Sequence, residues 1–338
     1  MRNTYIVAEV GPNHNGSIER AIEMVRRISK IGANAVKFQL ANPDSLYSLD
    51  SFKVAYQKKN DRSKSAKEMS AKNQLSLDEH KVLYDECRNN KVDYLCTAFD
   101  LESLIFLDTQ LDLPYFKIAS GEIFSLDMLE YMSNRDRSII LSTGMATFSE
   151  IEITINLLNR ISKKDIILLH CISNYPAPYR AVNLKVMNEL KKGFQYPVGF
   201  SDHTIGNDCA IVAVALGACL IEKHVTLDKN LPGPDHKSSS TIEEFAELVK
   251  SIKNVEIAMG SSQKKISEQE KEIARAVRKS IVSLRVLEPG EAIKATDICF
   301  KRPGIGFLPI EKDIIIGKRA KVRIGKDRVI TEDMIEWQ

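Results

Sequence analysis

Eight short runs rich in β-branched and aliphatic residues alternate with stretches whose apolar residues recur at helical spacing, and this alternation limits the fold more than any other feature. The runs are YIVAEV (5–10), NAVKFQ (34–39), DYLCTAF (93–99), YFKIAS (115–120), SIILST (138–143), IILLHC (166–171), YPVGFS (196–201) and CLIEKHV (219–225). Between them, Ile18, Ala21, Ile22, Val25, Ile28 and Ile31 are spaced as one face of a helix, as are Ile242, Phe245, Leu248, Val249 and Ile252. Eight strand–helix units ending near residue 260 predict an α/β chain built on a parallel (β/α)8, or TIM, barrel. An open doubly wound sheet is the alternative. Such a sheet usually carries a Gly-rich phosphate turn after its first strand, and EVGPNHNG (9–16) contains no GxGxxG.

The 338-residue length suits a barrel with an appendage. Residues 1–260 are read as the barrel, the polar stretch 261–280 (GSSQKKISEQEKEIARAVRKS begins at 260) as a linker helix, and 281–338 as a small β-rich domain with a turn at Pro289-Gly290. A net charge of +3 gives no bulk argument for nucleic acid. No apolar run reaches membrane-spanning length, and YIVAEV is interrupted by Glu9 with no secretory segment before it, so a cytoplasmic, membrane-free protein is expected. Cysteines at 87, 96, 171, 209, 219 and 299 match neither a disulfide scaffold nor a zinc finger. Residues 41–76 form a long polar excursion, which reads either as a solvated insertion or as a substrate-covering lid.

Chemistry in such a barrel gathers at the carboxyl ends of its strands. Those ends carry Glu9; Lys37 and Gln39; Thr97; Lys117, Ser120 and Glu122; Ser142 and Thr143; His170, Ser173 and Tyr175; Ser201 and His203; Glu222 and His224. GFSDHTIG (199–206) places Ser201, Asp202 and His203 in a row, the residue types of a hydrolase triad. Strand geometry puts Ser201 and His203 on one face and Asp202 on the other, against a triad. Asp202 or Thr204 then reads as a cap for a helix beginning near Asn207. His224 ends the next strand. Neighbouring strands lie about 4.8 Å apart, so the two imidazoles can share a metal at bond lengths of roughly 2.0–2.3 Å, or stand as two hydrogen-bonded histidines. Lys37 and Lys117, with the nearby hydroxyls, suit a small dianion. A lysine could instead form a Schiff base, which would leave the histidine pair without use. Asp235 and His236, in LPGPDHKSSS (231–240), face the same cleft or simply follow a turn.

These residues resemble the sialic acid synthases. The matching motifs are AEVGPNHNG (8–16), VKFQ (36–39), FKIASGE (116–122), LSTGMA (141–146), LLHCISNYPAP (168–178), GFSDHTIG (199–206), IEKHVTLDKNLPGPDH (221–236) and KRPGIG (301–306). The C-terminal segment resembles the family's antifreeze-like (SAF) domain. The resemblance implies a transferase that condenses phosphoenolpyruvate with an open-chain N-acetylmannosamine-type sugar and water, with C–O cleavage and release of phosphate. It implies manganese or magnesium, with cobalt as a further candidate, held by His203 and His224. By motif position, Lys37, Thr97, Lys117, Ser120, Ser142, Ser173 and Ser201 would bind phosphoenolpyruvate, and Glu9 would be the acid/base. Gln39, Glu122, Tyr175 and Asp235 would hold the sugar, and Arg302 would reach the barrel of the partner in a domain-swapped homodimer to bind its N-acetyl group. The chain departs from the family pattern at Ala98 (usually Pro), Val225 (usually Phe) and Pro12 (usually aliphatic), and Ser173 is Asn in some members. N-acetylneuraminate synthase is the first reading. A legionaminic-type synthase acting on 2,4-diacetamido-2,4,6-trideoxymannose is the alternative within the family, and a carbohydrate- or ice-binding protein is the alternative outside it.

Overall fold

The computed structural model describes residues 3–337, which fall into two compact units divided between Gly260 and Ser261. In the first unit, β1 (Tyr5–Glu9), β2 (Ala35–Leu40), β3 (Asp93–Ala98), β4 (Phe116–Ile118), β5 (Ile139–Ser142), β6 (Ile166–Cys171), β7 (Val198–Asp202) and β8 (Leu220–Thr226) run parallel in sequence order. Pairing of β1 with β8 closes them into a TIM barrel. Strand β4 is shorter than its apolar run because residues Ser120–Glu122 turn into a 3-10 helix.

Each strand presents alternate residues to the lumen and to the outer helices. Val7, Ala35, Leu95, Ile140, Leu169 and Leu220 form a dry layer inside the barrel. Residues of opposite parity, such as Ala8, Val36, Phe38 and Ile221, pack outward against the helices in the main core. The first helix (Ile18–Ile31) shows how the sequence specifies this layer. Ser17 caps it by accepting from the Arg20 amide, Gly32 ends it in the left-handed region at φ 89°, and Ala21, Met24, Val25 and Ile28 are buried. Moving two residues along the inward series, toward the strand ends, the side chains become polar: Glu9, Lys37, Thr97, Ser142 and Glu222 are all buried there.

Residues 41–76 fold into three short helices, Pro43–Leu46, Ala55–Asn60 and Ala66–Asn73. A buried Lys53 ammonium staples this segment by donating to Asp61 Oδ1 (3.0 Å), the Asp61 carbonyl (2.7 Å) and the Ser63 carbonyl (3.0 Å). Asn60 ties it to the loop after β8 through the Pro234 carbonyl, at 3.0 Å.

The second unit contains the helix Glu268–Val277 and two antiparallel pairs, Ser280–Ser283 with Ile298–Lys301 and Arg319–Ala320 with Ile335–Glu336. Its own core includes Ile281, Leu287, Ile293, Ile315, Ile324 and Ile330. Among the described residues no helix is long and apolar enough to cross a membrane.

Gly199 marks a tight point in the wall of the barrel. A Cβ there would lie 2.5 Å from the Leu220 carbonyl oxygen and 2.7 Å from Leu169 Cδ2. Gly199→Ala is expected to destabilise the protein by about 1–3 kcal/mol through overpacking. The measurement is the urea midpoint, which should fall with the slope unchanged. An unaltered midpoint would contradict this packing.

Candidate active site

A cavity of about 370 Å³ opens at the carboxyl ends of the barrel strands, lined by Glu9, Lys37, Gln39, Thr97, Lys117, Ser120, Ser142, Ser173, Tyr175, Ser201, His203, Glu222, His224 and Asp235. Fourteen side chains are brought together from eight strands and their loops because all stand on lumen-facing positions or just beyond them. Pairing sets the order: Glu9 is level with both Lys37 and His224, Thr97 with Lys117, and Ser201 with Glu222.

The Glu222 carboxylate lies at the centre. It accepts from Ser201 Oγ at 2.9 Å and lies 3.3 Å from Lys37 Nζ and 3.9 Å from Lys117 Nζ. Burial would raise its pKa, but Lys117 and Lys37 outweigh burial and hold it at about 2. Burial also lowers Lys117, and the neighbouring Lys37 charge adds to that effect. Lys37 moves the other way: burial pulls it down, yet the Glu222 and Glu9 carboxylates raise it above the ordinary value. Lys37 contacts Glu9 directly, as well as Thr97 Oγ1 at 3.3 Å, and Lys117 donates to Ser142 Oγ at 2.8 Å. Burial pushes Glu9 up to about 8 in spite of the Lys37 ammonium paired with it. The cluster thus sets two buried lysines against Glu222, with Glu9 in contact with Lys37.

The histidines stand two residues further along the chain from Ser201 and Glu222, at the ends of β7 and β8. Their ring centroids are 5.5 Å apart, and Tyr175 packs against both, at 4.2 Å from His203 and edge-on at 5.5 Å from His224. Burial lowers the pKa of both, so both rings are neutral. His203 Nδ1 donates to the Ile172 carbonyl at 2.8 Å, leaving its Nε2 lone pair toward the cavity near Ser201 Oγ. His224 Nδ1, Asp235 Oδ1 and Glu9 Oε1 are buried without hydrogen-bond partners. Two neutral imidazoles have the donor chemistry that suits a divalent transition cation. No group of three or more His, Cys, Asp or Glu converges as a complete metal cage among the described residues. The pair would thus leave coordination positions for substrate or water.

The segment 41–76 covers the cavity: Tyr47, Val54, Tyr56, Gln57, Met69, Ser70 and Asn73 line it, and Tyr56 packs on Tyr175 at 5.4 Å. Polar composition carried no sign of which of these residues would turn inward. Glu222 had a signal, since it shares parity with His224, yet its role as the common partner of both lysines emerges only when the barrel closes. Glu122 is placed elsewhere. Its carboxylate accepts from Ser125 Oγ and lines a separate depression with Ser45, Asp100 and Glu102. Arg302 belongs to the second unit, in a groove with Arg323, Asp327 and Arg328. His170, at the strand end, has outward parity: its Nε2 meets the Val182 carbonyl at 2.6 Å and its ring packs on Phe200. His236 is engaged by Thr226 Oγ1 at 2.7 Å and Asn15 Oδ1 at 3.0 Å. Asp202 is not a helix cap. The helix Asp208–Ala215 begins at Asn207 without a side-chain cap, and Asp202 pairs with Lys223.

Comparison with known proteins places this geometry in context. The NeuB family matches residues 24–264 and the SAF domain matches residues 278–336. A Campylobacter jejuni protein named N,N'-diacetyllegionaminic acid synthase is 41% identical over 98% of this chain and 100% of its own length. A Legionella pneumophila protein of the same name is 40% identical over 98% of this chain and 94% of its own. Among solved structures, the N-acetylneuraminic acid synthetase of Leptospira borgpetersenii superposes with a TM-score of 0.71 at 30% identity, over 80% of this chain and 90% of that one.

Asp235 offers a test of how far the site is organised against stability. Burial alone raises its pKa from 3.8 to about 7. Below pH 4 the carboxyl is protonated in both folded and unfolded chains and costs nothing. Between about pH 4 and 7 the unfolded chain gives up this proton while the folded chain keeps it, so stability falls across that window by on the order of a few kcal/mol, at about 1.4 kcal/mol per pKa unit, and above it the folded protein carries a buried charge. Metal-free Asp235→Asn is therefore expected to melt above the wild type at pH 8 and level with it at pH 4, read by scanning calorimetry. A variant that melts below wild type at pH 8 would refute this.

Proposed function

The chain belongs to the NeuB family of sialic-acid-type, phosphoenolpyruvate-using synthases, and on that premise we propose that it condenses phosphoenolpyruvate with 2,4-diacetamido-2,4,6-trideoxymannose to give a legionaminic-type acid. The observation that supports a phosphoenolpyruvate synthase is the pair of buried lysines sharing one buried carboxylate beside two neutral histidines. A module that only binds carbohydrate or ice has no use for that arrangement. The relatives support this choice of acceptor. Those at 41% and 40% identity carry the legionaminic name, whereas the N-acetylneuraminic acid synthetase stands at 30%. N-acetylmannosamine, the acceptor first expected from the motifs, becomes the comparison substrate.

In this reading Lys37 and Lys117 anchor the carboxylate and phosphate of phosphoenolpyruvate, with Thr97, Ser120, Ser142, Ser173 and Ser201 as hydroxyl donors. The anion pocket is tight at Gly144, where a Cβ would lie 2.3 Å from Ser173 Oγ and 2.8 Å from Ser120 Oγ. His203 and His224 would hold a divalent cation, manganese, magnesium or cobalt, which supplies Lewis-acid polarisation of the sugar aldehyde. C3 of phosphoenolpyruvate bonds to the aldehyde carbon, and the aldehyde oxygen takes a proton from Glu9, whose pKa burial raises. Water then adds at C2, returning a proton to Glu9, and the C2–O bond to phosphate breaks. One water is consumed and one phosphate released per acid formed. Gln39, Tyr175 and Asp235 hold the sugar, and the 41–76 segment shields the cavity from bulk water. The protein works in the cytoplasm as a domain-swapped homodimer, with Arg302 of one copy reaching the sugar in the other.

A panel of both acceptors, with product mass and phosphate measured, tests this reading. Phosphate release should require phosphoenolpyruvate, sugar and metal together, should stop with EDTA, and should be faster with the diacetamido sugar. Higher kcat/KM with N-acetylmannosamine would reverse the acceptor assignment. For Arg302, an inactive Arg302→Ala protein and an inactive Lys37→Ala protein should regain activity when refolded together as mixed dimers. Failure to complement, with mixed dimers present, refutes the cross-subunit role.

A further inference from the structure

Behind the two histidines, on the outer side of the strands, lies a charge pair that the reaction does not use. Asp202 and Lys223 are the final paired register between β7 and β8. Both have outward parity, and their side chains are 0% and 2% exposed. Outward strand positions of a barrel ordinarily carry aliphatic residues against the helices. Here Lys223 Nζ donates to Asp202 Oδ2 at 2.7 Å and to the Thr204 carbonyl at 2.9 Å. Asp202 Oδ1 in turn accepts from the Thr204 amide at 2.9 Å and from Thr204 Oγ1 at 2.7 Å.

These four bonds bracket His203. The residue lies one step beyond the last β7–β8 register, where sheet pairing no longer holds the chain. Its neighbours on both sides, Asp202 and Thr204, are instead tied to Lys223, whose own C-terminal neighbour is His224. Its carbonyl is also held, accepting from the Ala177 amide at 2.8 Å. A buried ion pair is poor evidence for stability in itself, because apolar residues of similar volume often do as well. Its value lies in geometry: it joins the residue before His203 to the residue before His224.

We infer that Asp202 and Lys223 are positioning residues that set the separation and aim of the His203–His224 pair, and so the affinity of the site for a divalent cation. This rests on the histidine pair being the metal site. Neither residue touches the cavity, so the anion-binding lysines keep their geometry when the pair is altered.

The experiment uses the full chain, freed of metal, titrated with Mn2+ while free Mn2+ is read by electron paramagnetic resonance. Phosphoenolpyruvate binding is followed separately by calorimetry, and folding by circular dichroism. Lys223→Met is expected to weaken Mn2+ binding by about 10–100-fold, the range for residues that orient metal ligands, with phosphoenolpyruvate affinity unmoved. Lys223→Arg, which keeps the charge and the donors, should restore Mn2+ binding. The double variant Asp202→Asn/Lys223→Met leaves no unpaired buried charge. It tests the inference even if the single variant does not fold, and it too should bind Mn2+ weakly. Wild-type Mn2+ affinity in a folded Lys223→Met or double variant overturns the inference. So does a parallel loss of Mn2+ and phosphoenolpyruvate affinity, the mark of general loosening. A separate outcome bears on the premise: if the unaltered protein takes up no Mn2+, or His203→Ala binds it equally well, the metal assignment fails and the inference with it.

Discussion

The Glu222 carboxylate, accepting from Ser201 and lying against two buried lysines, is the interaction on which the cavity depends. Two ammonium groups sequestered in a barrel lumen would repel each other and resist desolvation. Glu222 between them, with Glu9 against Lys37, makes the arrangement tenable. The same balance explains Glu9. Burial moves Glu9 up while the two lysines hold Glu222 down, so the two carboxyls shift in opposite directions.

The barrel supports this concentration of charge by separating packing from chemistry along each strand. Two residues below the polar ring the lumen is closed by Val7, Leu95, Ile140 and Leu169, and on the outer face the core runs unbroken from the strands into the helices. That apolar material supplies the stability from which the site subtracts. Glu9, His224 and Asp235 all carry buried atoms without hydrogen-bond partners, and each such atom costs stability until something pairs with it. The Asp202–Lys223 pair belongs to neither class: it is satisfied, buried and away from the cavity, yet fastened to the chain on each side of the metal-binding candidate.

Much of this was legible from residue order. The eight apolar runs announced a closed parallel sheet because each is too short and too apolar for anything but a buried strand. The inward residues of the site followed from counting by twos along those runs, which placed Lys37, Lys117, Ser201, His203 and His224 together. Position at a strand end is not enough, because parity and the turn that follows decide where a side chain goes. His170 ends an apolar run like the others, but its parity aims it at Phe200 and Val182. Glu122 follows a strand that stops early in a 3-10 turn, and the turn swings its carboxylate to Ser125.

Sequence alone thus determined the architecture and which polar residues stand at the strand ends, because hydrophobic periodicity and side-chain alternation are local properties of a chain. Tertiary structure decided the rest: which carboxylate the two lysines share, which residues of the 41–76 segment face the cavity, and that Asp202 meets Lys223 rather than capping a helix. Each of these depends on distances between strands far apart in sequence, and only the register of the closed barrel sets those distances.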